Sequence, residues 1–105
     1  MLKAIDRLGE RLPTAFFVAS DPIAVGCLQA LNERGIAIPA RVSVLSVNNI
    51  SVAKYVSPPL STFNIDIPEL CRTAVTLLLE QMLNKRTLVK TVYHNAELVI
   101  RKSTR

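Results

Sequence analysis

The sequence predicts an α/β fold, a parallel sheet flanked by helices, and three observations lead there. Two apolar runs without turn residues, Ala15–Ala19 (AFFVA) and Val42–Val47 (VSVLSV), read as buried strands. Between them lies a helical pattern from Pro22 to about Arg34, opened by Ser20-Asp21-Pro22 and closed by Gly35 and Pro39. A crossover of that length that contains a helix makes the two strands parallel. Their carboxyl ends, Ser20-Asp21 and Asn48-Asn49, then meet at one edge of the sheet. Open α/β sheets bind ligands at that edge.

The elements follow in order. Leu2, Ile5 and Leu8 recur at helical spacing, so Met1–Leu12 reads as an amphipathic helix that Gly9 ends. It is no signal peptide, because Lys3, Asp6, Arg7, Glu10 and Arg11 interrupt it. In the central helix Asp21 is placed to cap the free N–H groups, and Pro22 suits the first helical position. Ile23, Ala24, Cys27, Leu28 and Leu31 form the stripe expected to cover the sheet. Pro22, Val25, Gly26 and Gln29 form the opposite face, neither charged nor strongly apolar.

Ser51–Ser57 reads as a short helix or irregular segment ended by Pro58-Pro59, and Leu60–Ile65 (LSTFNI) as a strand. Asp66 and Glu69 have the spacing of a capping box. The helix that follows runs to about Asn84 and is the longest element. Its broad face of Leu70, Cys71, Ala74, Val75, Leu78 and Met82 calls for a substantial partner, and Lys85-Arg86 suit its negative end. Leu88–His94 and Ala96–Arg101 read as two strands joined at Asn95.

A chain of 105 residues forms one modest core. Half of its residues are apolar and 20% are charged, which excludes a disordered segment. The balance of 13 Lys+Arg against 8 Asp+Glu gives +5, but these charges are spread from Lys3 to Arg105 and read as a solvated surface. Cys27 and Cys71 lie in helical patterns outside any C-x-x-C, so they read as reduced core thiols, consistent with a cytoplasmic location. No apolar run reaches membrane-spanning length.

No catalytic site assembles. There is no G-x-S-x-G, P-loop or G-x-G-x-x-G, and His94 reads as a surface residue, so neither a catalytic residue, a metal ligand nor a cofactor is assigned. What stands out is the polar edge. Ser20, Asp21, Asn48 and Asn49 combine hydroxyl, carboxylate and amide groups that suit the hydroxyls of a sugar. The same residues also serve as a helix cap and a turn, and both readings stand on the residues alone.

The stretch PTAFFVASDPIAVGCLQALNERGIAIPARVSVLSVNNI, then PPLSTFNID and ELVIRKST, resembles the C-terminal part of the lactose/galactose repressor (LacI/GalR) family of bacterial transcription regulators. The likeness covers almost everything from Pro13 onward. It implies a partial periplasmic-binding-protein-like fold: residues 1–57 in the C-terminal lobe, residues 58–105 crossing to a remnant of the N-terminal lobe. It implies binding of a sugar or sugar derivative at Ser20, Asp21, Asn48 and Asn49, the positions matching Ser20 and Asn48 commonly touching the effector. It implies a homodimer interface at Pro22, Val25, Gln29, Tyr55 and Val56. Operator DNA would be bound only through a helix-turn-helix headpiece that has no place in this chain, and no membrane partner is implied. The likeness departs at Val47-Asn48-Asn49, where the family often has an aromatic residue and two aspartates. The alternative reading is a sugar-binding protein of a transport system, which shares the fold.

Overall fold

The structure is a computed structural model and describes residues 1–84 and 88–105. It divides into two compact units: Met1–Asn64 with Glu97–Arg105, and Ile65–Ala96. The division falls after Asn64 and the chain returns at Glu97, whereas the family likeness places the crossover at about residue 58.

The first unit is built on a four-stranded sheet. Its elements are α1 (Leu2–Leu8), β1 (Ala15–Phe17), α2 (Asp21–Glu33), β2 (Ser43–Asn48), β3 (Ser61–Asn64) and β4 (Glu97–Val99), in spatial order β1-β2-β3-β4. β1 pairs with β2 in parallel, with Phe16 opposite Val44, as the strand–helix–strand pattern predicts. β2 and β3 are also parallel, and β4 returns antiparallel to β3, so the sheet is mixed. Short 3-10 turns follow α1 (Gly9–Arg11) and β2 (Ser51–Lys54). Gly9 ends α1 and Gly35 follows α2, both at positive φ (50° and 65°), where a residue with a Cβ is strained.

The core sits between α2 and one face of the sheet. Val42 and Val44 project from that face, and Ala24, Leu28 and Leu31 meet it from the helix. Two expectations are corrected here. Ile23 does not pack on the sheet; it is 58% exposed. Asp21, Ala24, Leu28 and Leu31 define the buried line, and a residue two positions from Asp21 is turned about 200° away at ~100° per residue. Cys27 lies on the flank, half-buried, beside a groove of about 610 Å³ shared with Met1, Leu2 and Ile23.

The end of the chain completes the sheet. Ser103 is buried between β2 and β3. Its Oγ donates to the Val44 carbonyl (2.6 Å) and accepts from the Ser61 N–H (2.8 Å), while its carbonyl accepts from the Val44 N–H (2.8 Å). One serine thus bonds both strands at the start of their pairing, where Leu45 stands opposite Ser61.

The second unit consists of α3 (Ile67–Asn84) and residues 88–96. Asp66 caps the helix as the sequence predicts, its Oδ1 accepting from the Glu69 N–H at 3.0 Å. Glu69 pairs with Arg72, and Lys90 lies 3.3 Å from Glu80. No residue of α3 is buried, so Cys71 is not a core thiol but exposed. The expected strand Leu88–His94 does not form: residues 88–96 are exposed and carry no regular secondary structure, and none of them has a ladder partner among the described residues. Of the expected Ala96–Arg101 strand, Glu97–Val99 forms, because β3 offers it an edge. Lys85-Arg86 lie outside the described residues.

Candidate functional site

The parallel β1–α2–β2 crossover brings Ser20, Asp21, Asn48 and Asn49 to the carboxyl edge of the first unit's sheet. The structure separates them into two kinds.

Asp21 and Asn49 are hydrogen-bonded to other side chains of the fold. Asp21 is fully buried. Its Oδ1 accepts from the hydroxyls of Ser46 and of Thr62 (2.6 Å for Thr62), and its Oδ2 accepts from the Ile50 N–H at 2.8 Å. The carboxylate therefore ties the start of α2 to β2, β3 and the turn after β2. It does not cap α2. Ser20 holds the cap position with an extended backbone and no side-chain capping bond, and its carbonyl accepts from the Ala24 N–H at 3.0 Å. A buried charge is tolerated only when donors compensate it, and here three do.

Asn49 uses both ends of its amide. Oδ1 accepts from Arg101 Nη2 (2.7 Å), and Nδ2 donates to Asn64 Oδ1 (3.0 Å). Its backbone N–H reaches Thr62 Oγ1 at 3.3 Å. Asn48 and Asn49 both have positive φ (112° and 52°), which short amide side chains tolerate better than most.

Ser20 and Asn48 remain open. Both are partly exposed, and neither side chain makes a hydrogen bond to a described residue. A hydroxyl and an amide thus stand free at the edge, next to a neighbour whose amide is already bonded to Asn64 and Arg101. Together they offer donors and acceptors to a polyhydroxylated molecule and no charge.

Several residues of this edge escape sequence reasoning. Thr62, Ser46, Asn64 and Arg101 come from three different strands or their ends. The signal that could have found Ser46 is its polarity within the apolar run Val42–Val47; Thr62 lies in a mostly polar strand and carries no such signal. Phe17, 66% exposed at the end of β1, meets Phe63 edge-to-face with ring centres 6.2 Å apart.

The second predicted surface also has a place. Val25 and Gln29 of α2 and Val56 line one groove of about 320 Å³, with Leu28, Asn32 and Ser57. Asn32 Nδ2 donates to the Ser57 carbonyl (2.9 Å), which holds the two segments together. Pro22 and Tyr55 are exposed nearby in sequence. Among the described residues no cluster of His, Cys, Asp and Glu could hold a metal ion, and no helix is long and apolar enough to cross a membrane.

Comparison with known proteins adds the following. The family profile described as "Periplasmic binding protein-like domain" matches residues 1–104. The HTH-type transcriptional regulator GanR of Bacillus subtilis is 71% identical over 103 residues, covering 98% of this chain and 31% of GanR. A putative transcriptional regulator LacI from Bacillus cereus superposes with a TM-score of 0.88 at 30% identity, over 99% of this chain and 38% of that one. A LacI family transcriptional regulator from Arthrobacter sp. FB24, in complex with lactose, superposes with a TM-score of 0.77 at 29% identity, over 97% and 39%. The chain thus spans about a third of the length of the relatives it matches.

Proposed function

The chain belongs to the periplasmic binding protein-like domain family in the form carried by lactose/galactose repressor (LacI/GalR) regulators, and on that premise we propose that it is the effector-binding and dimerisation portion of a bacterial transcriptional repressor. Its ligand is a sugar or sugar derivative, held at the carboxyl edge of the sheet. The observation that carries this reading is the pair of free groups, the Ser20 hydroxyl and the Asn48 amide, beside Asp21 and Asn49, whose side chains are bonded within the fold. Lactose bound to the Arthrobacter relative supports a sugar as the ligand class. Ser20 and Asn48 are the contacts; Asp21 and Asn49 hold the edge in shape.

In this reading the unit Met1–Asn64 with Glu97–Arg105 belongs to the C-terminal lobe, and Ile65–Ala96 to the other lobe. Val25, Gln29 and Val56 line the dimer groove, with Pro22 and Tyr55 at its margin. Operator DNA is recognised by a helix-turn-helix headpiece elsewhere in the whole protein, which works in the cytoplasm and catalyses no reaction. The regulator names of the relatives favour this over a transport protein.

The test is calorimetric titration of the whole regulator with lactose and with galactose. Asn48→Ala should weaken binding by about 0.5–1.5 kcal/mol, the net worth of one hydrogen-bonding group. Unchanged affinity removes Asn48 from the site, and a regulator that binds no sugar overturns the reading.

A further inference from the structure

Asn49 sits one residue beyond the free Asn48, and its amide is divided between two distant parts of the chain. Nδ2 donates to Asn64, the last residue of the first unit before the chain leaves it. Oδ1 accepts from Arg101, which lies just after the strand by which the chain returns. Arg101 is itself anchored: Nη1 donates to the Leu60 carbonyl (2.7 Å) and its backbone N–H to Ser61 Oγ (2.8 Å). On the other side of the turn, the Ile50 N–H is held by Asp21. The turn Asn48–Ile50 therefore has fixed attachments to both α2 and the two crossing strands.

We propose that Asn49 is a positioning residue that ties the ligand edge to the two segments through which the chain leaves and returns to this unit. It rests on the reading of that edge as the effector site. One N–H of the Asn49 amide is given to Asn64 and its oxygen accepts from Arg101, so the orientation of the amide is set by the fold at both ends. A shift of the Asn48-Asn49 turn is felt at Asn64 and at Arg101 together, because one planar amide holds both. Arg101 has no carboxylate within ion-pair distance among the described residues, so Asn49 is its side-chain partner at this edge. Neutral acceptors hold a guanidinium less tightly than a carboxylate does.

Amide hydrogen exchange on the 105-residue chain, without any sugar, tests this. Asn49→Ala should speed exchange at Asn64–Ile65 and at residues 97–101 roughly tenfold more than at the α2 amides. Asn49→Asp keeps an acceptor for Arg101 and should leave residues 97–101 protected. A uniform rise across the unit, or none, overturns the proposal, since an ordinary core bond would act uniformly. Loss of protection at residues 97–101 in Asn49→Asp also overturns it, and that variant decides the matter if Asn49→Ala does not fold. Because no ligand enters the experiment, its failure is distinct from failure of the sugar reading, which the Asn48→Ala titration decides.

Discussion

α2 and α3 carry similar apolar patterns and end in opposite states. In α2, Ala24, Leu28 and Leu31 are buried against a sheet whose strands flank the helix in sequence. In α3 no residue is buried, and Val75, Leu78, Leu79, Met82 and Leu83 are all exposed. Every member of the hydrophobic core lies in the first unit. The difference is not in propensity. An amphipathic stripe becomes a core only when a complementary surface is at hand, and in the first unit the chain supplies it within thirty or so residues of the helix. Among the contacts of α3 are its own helical hydrogen bonds, the Asp66 cap, the Glu69–Arg72 pair and the Lys90–Glu80 pair.

The largest effect that would break this contrast is a truncation in each helix. Leu31→Ala should cost about 3–5 kcal/mol in denaturant unfolding, the cost of a cavity in a closed site. Leu78→Ala should change stability by no more than about 0.5 kcal/mol, as an exposed substitution does. Equal losses would mean that α3 is buried in solution, by folding back or by association.

Association is the next test. The chain should sediment as a homodimer or larger species across a range of concentrations, since the α2–Val56 groove and the apolar face of α3 both invite a second copy. Val25→Glu and Leu78→Glu then sharpen the comparison. A fall in assembly with Val25→Glu places the interface in the first unit, and with Leu78→Glu in the second. A monomer at high concentration in the unaltered chain defeats both.

The smallest effect concerns the two thiols. Cys27 is half-buried and burial pushes its thiol above the ordinary range, so less thiolate is present at neutral pH; Cys71 is exposed. Iodoacetamide should therefore modify Cys71 well before Cys27, and raising the pH should speed Cys27 only once the ordinary thiol range has been passed. Cys27 reacting first would show the α1–α2 region to be open.

Much of the fold was written in local sequence. The capping carboxylate of Asp66, the glycines after α1 and α2, and the parallel crossover from Ala15 to Val47 rest on contacts between near neighbours or on the length of a connection. The extents of α2 and α3 follow from the same signals. The resemblance to LacI/GalR regulators was legible for the same reason, since ordered motifs survive in the chain itself. The strand expected at Leu88–His94 was not decided by composition, because a strand exists only where a neighbouring edge accepts its ladder. Glu97–Val99 found such an edge on β3.

The division of labour at the polar edge belonged to the tertiary structure. Ser20, Asp21, Asn48 and Asn49 were readable as a group, because the crossover alone brings them together. Which of them stays free could not be read. That depends on Ser46, Thr62, Asn64 and Arg101, which arrive from as far as 52 residues away and engage the side chains of Asp21 and Asn49. A polar side chain declares its type in the sequence, but whether it is spent is settled only by what folding sets within hydrogen-bonding distance of it.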